Sequence, residues 1–225
     1  MSASPNVSLH HVARLPAAGD RDASNRPPLL ILLHGVGSNE LSMAALAAAF
    51  DPRFLVLSAR SPIVLGPSSF AWFHVTFTPS GPVIVAAEAV AGWKHIARFI
   101  DEAVAAYEAD PARVYLAGFS QGAIMSLATL LTTPERIAGV AAMSGRLLPE
   151  VLPHVAEASR LAGKPVLIVH GTDDEKLGVQ FARDAKEVLA RFPIALTYRE
   201  MRMRHEITRE SLDVVTAWLT AQLNA

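Results

Sequence analysis

Residues 113–122 of this 225-residue chain, RVYLAGFSQG, place a serine between two glycines directly after an apolar run typical of a buried strand. The G-x-S-x-G pattern is typical of a turn in which a strand passes abruptly into a helix and lifts the serine hydroxyl above the sheet edge. At Gly118 and Gly122 a side chain would collide with the neighbouring strand and helix. The segment therefore predicts a strand, a strained turn and a helix, with Ser120 as a candidate nucleophile.

Two later segments supply the groups that a serine nucleophile needs. A serine hydroxyl requires an adjacent base, which an acid must hold in one tautomer and orientation. Residues 165–170, PVLIVH, predict a strand that leads to Asp173 and Asp174, and either carboxylate fits the acid role. His205 follows a predicted strand at Ala195–Met201 and precedes an amphipathic helix. The order serine, aspartate, histidine is that of the α/β-hydrolase arrangement.

An oxyanion hole would complete such a site, because acyl transfer develops negative charge on the former carbonyl oxygen. Leu29–Leu33 is a continuous apolar run that predicts a central parallel strand, and HGVGS follows it. One donor in the hydrolase geometry is the amide after the nucleophile, here Gln121. The other comes from the early loop, where the amide of Val36 is the candidate.

Six segments together resemble the phospholipase/carboxylesterase family of α/β-hydrolases, which includes bacterial carboxylesterases and acyl-protein thioesterases. They are LLHGVGSNE, SSFAWFH, YLAGFSQGA, MSGRLLP, VLIVHGTDDE and RHEI. The similarity runs in register from about residue 29 to the C-terminus. The resemblance implies a role for each member of the site: Ser120 as nucleophile, Asp174 as acid, His205 as base, and the amides of Val36 and Gln121 as oxyanion donors.

The resemblance also implies an activity, the hydrolysis of short- to medium-chain carboxylic esters through an acyl-serine. A thioesterase or a lysophospholipase would use the same triad, and a non-catalytic binding protein would keep the pocket without needing all three groups. The sequence departs from the family pattern at Arg204, where relatives often have glycine, and at His74, where many carry aspartate. These departures bear on specificity and leave the three reacting groups in place.

Alternating strands and helices predict one α/β-hydrolase domain over residues 1–225, with a mostly parallel sheet covered by helices on both faces. Further strands are predicted at Val7–Leu15, Phe54–Ser58 and Gly139–Ser144, and a helix from Val90 to Tyr107. Only about twenty residues follow Ser144 before the next strand, too few for a large cap domain.

Residues 61–87 carry no charge and contain four prolines, which predicts a long loop. Its aromatic side chains Phe70, Trp72, Phe73 and Phe77 fit two alternatives. They line an acyl groove, with Trp72 foremost, or they pack the loop onto the core.

The net charge, the cysteine content and the spacing of the histidines exclude several kinds of partner, cross-link and cofactor. The chain has a net charge of -1 and no basic cluster, so no nucleic-acid partner is predicted. It contains no cysteine, which excludes disulfides and thiolate metal sites. His74, His95 and His154 have no carboxylate or histidine at ligand spacing, so neither a metal nor a cofactor is predicted. His34 and His170 are predicted to hold loops by hydrogen bonds.

The predicted partner is a small-molecule ester in the cytoplasm. The uncharged stretches are interrupted by glycine, proline and polar residues, so no integral membrane association is predicted. The N-terminal segment lacks the apolar run of a secretory signal, which favours cytoplasmic residence. The sequence leaves both a monomer and a homodimer open.

Overall fold

The computed structural model describes residues 7–17, 26–79 and 81–224. The strands are β1 (His11–Arg14), β2 (Leu29–Leu33), β3 (Leu55–Ala59), β4 (Ile63–Gly66), β5 (Ser69–Ala71), β6 (Val75–Thr78), β7 (Gly81–Ile84), β8 (Val114–Phe119), β9 (Gly139–Met143), β10 (Pro165–Gly171) and β11 (Ala195–Met201). The α-helices are α1 (Glu40–Ala44), α2 (Ala86–Ala106), α3 (Gln121–Thr132), α4 (Gln180–Leu189) and α5 (Arg209–Leu223).

Seven of the described strands form one sheet in the order β1-β3-β2-β8-β9-β10-β11. Strand β1 pairs antiparallel with β3, and every other neighbouring pair is parallel. The carboxyl ends of the six parallel strands therefore lie along one edge. That edge is where open α/β sheets bind their ligands.

The central strand β2 shows why helices cover both faces. Its five residues are all buried, and they alternate between two cores because successive side chains in a strand point to opposite faces. Leu29, Ile31 and Leu33 pack in the core that contains residues of α2, α3 and α4. Leu30 and Leu32 pack in the core that contains residues of α1 and α5. The predicted mostly parallel sheet between two helical layers is confirmed.

The strands predicted outside the loop form near their expected places, with shifted ends. The predicted edge strand at Val7–Leu15 is reduced to β1, and the one at Phe54–Ser58 begins and ends one residue later as β3. The strand predicted at Gly139–Ser144 ends at Met143. Fraying makes element ends the least determined part of a sequence pattern.

The prediction of one long loop over residues 61–87 is wrong. The segment forms two antiparallel hairpins outside the main sheet, β4–β5 and β6–β7, and α2 begins at Ala86. Proline excludes a helix but is tolerated on the edge of a sheet, and Pro82 lies in β7 opposite Phe77. Each of these strands has only three or four residues, so the alternation of side chains gives little periodic signal.

The connection between β9 and β10 is short and irregular. It contains two 3-10 turns, Pro149–His154 and Ala158–Leu161. The carboxyl edge therefore has no large cap at this position, as predicted. Among the described residues, no helix has both the length and the apolar character that crossing a bilayer requires.

Candidate active site

Ser120 occupies the turn between β8 and α3 in a strained backbone conformation, with φ 53° and ψ -115°. A Cβ atom at Gly118 would lie 2.2 Å from the carbonyl oxygen of Gly122, and one at Gly122 would lie 2.0 Å from that of Leu33. Only glycine fits at these two positions because the strand, the turn and the helix approach so closely. Such a positive-φ serine costs about 1–3 kcal/mol, so the surrounding structure must hold it in place.

A continuous chain of hydrogen bonds runs from this serine to a buried carboxylate. The Oγ of Ser120 lies 2.9 Å from Nε2 of His205. On the other side of the imidazole, Nδ1 lies 2.7 Å from Oδ2 of Asp174. When Nδ1–H donates to the carboxylate, Nε2 presents its lone pair to the serine hydroxyl. The sheet edge thus brings together three groups separated by 85 and 31 positions in the chain.

The structure distinguishes the two adjacent aspartates. The Oδ1 atom of Asp174 accepts hydrogen bonds from the backbone N–H groups of Lys176 and Leu177 at 2.9 and 2.8 Å, which leaves Oδ2 for His205. The side chain of Asp173 is half exposed, and its nearest cation is Arg202 at 3.7 Å. Only Asp174 reaches the imidazole.

Two neighbouring rings support the acid and the base. The Nε2–H of the buried His170 donates to the carbonyl oxygen of Leu177 at 2.7 Å, which closes the turn that carries Asp174. The phenyl ring of Phe119 packs on the imidazole of His205, with 5.0 Å between ring centroids. His170 therefore holds a loop, as predicted, and this loop carries the carboxylate.

The two predicted oxyanion donors belong to two segments next to the serine. Val36 belongs to the loop after β2, and Gln121 is the first residue of α3. Within the described residues, neither backbone N–H has a hydrogen-bond acceptor. The first N–H groups of a helix lack intrahelical partners and carry the positive end of the helix dipole. Both amides are therefore free to receive a negatively charged oxygen.

A cleft of 440 Å³ opens beside the serine and the histidine. Six apolar side chains line much of it: Val36, Met43, Leu46, Phe77, Phe119 and Ile207. Polar residues complete its wall: Ser38, Ser42, Lys176 and Glu206. Phe77 lies on the β6–β7 hairpin with 57% of its surface exposed, so it is available for contact with a ligand.

The predicted groove residues Trp72, Phe73 and Phe70 do not line this cleft, and that prediction is wrong. Trp72 and Phe73 are buried at 0% and 1% exposure. The indole N–H of Trp72 donates to the carbonyl oxygen of His34 at 3.1 Å, because a buried indole requires an acceptor. Phe70 packs under the guanidinium of Arg60, 4.6 Å from the ring centroid. The alternative of packing onto the core describes Trp72 and Phe73, whereas Phe70 is half-buried beside Arg60.

The sequence patterns missed several residues of the cleft. Met43 lies on α1 and Leu46 just after it, and α1 begins only a few residues beyond the Val36 loop. Ile207 stands two positions after His205. Proximity in sequence to the predicted site residues is the one signal that would have identified them.

The two departures from the family pattern lie at the surface. His74 pairs with Glu88 through a contact of 2.9 Å between Nδ1 and Oε2. Arg204 is exposed. Neither side chain lines the cleft.

The buried histidines predict a dependence of stability on pH. Burial lowers the pKa of His34 and of His170 below the ordinary histidine value, although the Asp174 carboxylate opposes the shift at His170. The unfolded chain takes up these protons near pH 6.5, whereas the folded protein does not. The free energy of unfolding should therefore fall as the pH drops below about 6.5, by up to about 1.4 kcal/mol per pH unit for each histidine.

Urea unfolding at pH 7 and pH 5 measures this slope. His170→Gln keeps a donor near the Leu177 carbonyl and cannot take up the proton, so its slope should be smaller than that of the unsubstituted protein. His95→Gln is the matched control, because the His95 ring is exposed on α2. Equal slopes in all three proteins would contradict the assignment.

Comparisons with known proteins agree with the motifs. A family model described as phospholipase/carboxylesterase matches residues 20–223. Acyl-protein thioesterase 1 of Kluyveromyces lactis is 30% identical over 194 residues, which make up 79% of this chain and 84% of that protein.

Solved structures show the same fold. Esterase PE8 superposes with a TM-score of 0.82 at 26% identity, covering 96% of this chain and 99% of that one. The Bacillus cereus carboxylesterase superposes with a TM-score of 0.79 at 26% identity, covering 96% of each chain. The predicted α/β-hydrolase fold is confirmed.

Proposed function

The chain belongs to the phospholipase/carboxylesterase family of ester hydrolases, and from this premise we propose that it is a serine carboxylesterase acting on short- to medium-chain esters. The hydrogen-bonded chain from Ser120 through His205 to Asp174 carries the proposal. A protein that only bound a ligand would need no base within hydrogen-bond distance of a strained serine, nor a buried carboxylate behind that base.

The first half of the reaction transfers the acyl group to the protein. Ser120 Oγ attacks the ester carbonyl carbon while its proton passes to Nε2 of His205, and Asp174 stabilises the imidazolium that forms. The carbonyl oxygen becomes an oxyanion and accepts hydrogen bonds from the amides of Val36 and Gln121. His205 then returns the proton to the alcohol oxygen as the carbon–oxygen bond breaks.

The second half releases the acid. Water takes the place of the alcohol, and His205 removes its proton as the water oxygen attacks the acyl-serine carbonyl carbon. The same two amides stabilise the second tetrahedral intermediate. Its collapse returns the proton to Ser120 Oγ and frees the carboxylic acid. Each chemical step uses side chains and amides of this chain.

The substrate preference is tested by acyl chain length and by leaving group. The apolar wall of the cleft favours an acyl chain over a polar group, and the family resemblance favours chains of short to medium length. Thioesters and lysophospholipids react through the same intermediates. Measuring kcat/KM on matched oxygen esters and thioesters from acetyl to dodecanoyl, and on a lysophospholipid, would rank the three activities. A higher kcat/KM on the thioester than on the oxygen ester at every chain length would show that the protein is a thioesterase rather than a carboxylesterase.

A fluorophosphonate probe tests the nucleophile. Ser120 Oγ forms a bond to phosphorus, fluoride leaves, and His205 takes the serine proton. Stoichiometric labelling of Ser120, located by mass spectrometry, is the expected result. Folded protein that takes up no probe and hydrolyses no ester would support the non-catalytic binding protein instead.

Phe77→Ala should shift the acyl preference toward short chains. Each methylene removed from water contributes about 0.8 kcal/mol, so losing the phenyl wall should lower kcat/KM on an octanoyl ester roughly tenfold. The acetyl ester has no distal methylenes that could lose contact, so its kcat/KM should change less than about twofold. Steady-state kinetics on the two esters measures the ratio.

Val83→Ala is the matched control on the same hairpin. Val83 is 58% exposed, pairs with Thr76 across the hairpin and does not line the cleft. Its replacement should leave the octanoyl to acetyl ratio unchanged. An equal loss on both esters in Phe77→Ala would remove Phe77 from the acyl site.

A further inference from the structure

The side chain of Gln121 connects the helix that follows Ser120 to the segment after β5. Its Oε1 accepts a hydrogen bond from the backbone N–H of Trp72 at 2.8 Å, and its Nε2 donates to the carbonyl oxygen of Phe73 at 2.6 Å. Gln121 is 2% exposed, so its amide finds its partners inside the protein. The residue that offers one oxyanion amide therefore also holds the backbone of Trp72.

Trp72 in turn holds the loop that offers the other amide. Its indole N–H donates to the carbonyl oxygen of His34, two residues before Val36. The imidazole of His34 fixes the same loop, because Nδ1–H donates to the carbonyl oxygen of Gly35 at 2.8 Å and Nε2 accepts from the backbone N–H of Ser61 at 3.1 Å. The two peptide groups that precede Val36, those of His34–Gly35 and Gly35–Val36, are thus each held by a buried side chain.

We infer that Trp72 is a positioning residue of the oxyanion hole, which it holds together through Gln121 on one side and the His34 carbonyl on the other. The inference rests on the proposed function, since it needs Val36 and Gln121 to act as oxyanion donors. Trp72 touches neither substrate nor the reacting atoms. It acts by setting the separation and direction of two N–H groups carried by distant segments of the chain.

This role predicts a particular kinetic signature. Amides aimed at the oxyanion position gain their full effect in the transition state, so misplacing one lowers kcat more than it changes substrate binding. Both acylation and deacylation pass through an oxyanion, so both are slowed and KM changes little. A purely structural tryptophan would lower stability without this split between kcat and KM.

Trp72→Phe removes the indole N–H and keeps most of the ring volume. Removing an oxyanion donor outright costs about 10²–10³ in kcat, so a displaced donor should cost roughly ten- to hundredfold, with KM within about twofold. The inhibition constant of a trifluoromethyl ketone should rise by the same factor as kcat falls. Ser120 adds to this ketone and its proton passes to His205, which leaves an oxyanion that requires the same two amides.

Trp93→Phe is the matched control. Trp93 is 3% exposed in α2, and its indole N–H donates to no described residue. This replacement should leave kcat, KM and ketone inhibition within about twofold while removing a similar amount of buried ring. Gln121→Met, which keeps the backbone amide and removes both side-chain hydrogen bonds, should reproduce the kcat loss of Trp72→Phe.

The outcomes separate this inference from the proposed function. An unchanged kcat in a folded Trp72→Phe variant overturns the positioning role while leaving the esterase proposal intact. Equal losses in Trp72→Phe and Trp93→Phe, or failure of both Trp72→Phe and Gln121→Met to fold, also overturn it in favour of simple packing. An unsubstituted protein that neither hydrolyses esters nor reacts with the fluorophosphonate overturns both.

Discussion

Ser120→Ala should lower kcat by on the order of a millionfold while the protein stays folded. Comparable triads lose about this factor when the nucleophile is removed, because the remaining base and acid have no hydroxyl to activate. Alanine keeps the Cβ of Ser120 and removes only the hydroxyl, so the turn loses little packing. Steady-state hydrolysis of an activated ester, with melting temperatures recorded alongside, measures the effect.

Ser126→Ala is the serine control for this experiment. Ser126 lies in α3, is fully buried and donates to the carbonyl oxygen of Gly122 at 2.8 Å. Its replacement removes a buried hydroxyl close to the turn without touching the reacting groups, so kcat should change by less than about tenfold. Near-normal turnover by pure Ser120→Ala would remove Ser120 from the mechanism.

Asp174→Asn should lower kcat by about ten-thousandfold, the effect of the corresponding substitution in a serine protease. The asparagine oxygen can still accept from the N–H groups of Lys176 and Leu177. Its NH₂ group then faces Nδ1 of His205 as a donor, which favours the tautomer with hydrogen on Nε2. That nitrogen can no longer accept the proton of Ser120.

Asp173→Asn is the neighbouring control, and its loss should stay within about tenfold. The half-exposed Asp173 side chain accepts a hydrogen bond from the hydroxyl of Thr172 at 3.1 Å and lies 3.7 Å from Arg202, and surface contacts of this kind are worth little in water. Turnover of both variants on one activated ester at neutral pH decides between the two carboxylates. If the Asp173→Asn variant were inactive and the Asp174→Asn variant active, the acid would be Asp173 instead of Asp174, and the serine mechanism would still hold.

The parts of the candidate site set by backbone geometry were open to prediction. A Cβ atom at Gly118 or Gly122 would lie about two ångström from a backbone oxygen, so only glycine fits at these positions. This requirement is visible in the sequence as the G-x-S-x-G pattern. The residue pattern alone assigned the acid role to either Asp173 or Asp174. The two neighbouring side chains differ only in the direction in which they point, and this direction depends on the conformation of the turn. The resemblance selected Asp174, whose Oδ2 lies 2.7 Å from Nδ1 of His205.

The burial of the aromatic side chains in residues 61–87 could not be predicted from the sequence, because it depends on contacts with distant parts of the chain. Trp72 packs in the core, and its polar groups are satisfied there by a glutamine 49 positions away, which accepts from its backbone N–H, and by a carbonyl 38 positions away, which accepts from its indole N–H. No local pattern contains that information. Phe77, in the same segment, instead lines the cleft from the separate β6–β7 hairpin.

Because β11 lies at the edge of the sheet, we expect the protein to lose activity under milder conditions than those that unfold it. This strand lies at the edge of the sheet, pairs with β10 and has no fully buried residue, yet the segment after it carries His205. Ser120 and Asp174 follow interior strands. Edge elements with few buried contacts open at lower free energy than the core does. Mild denaturant or heat should therefore release the base first and produce a compact, inactive protein that recovers when the strand pairs again.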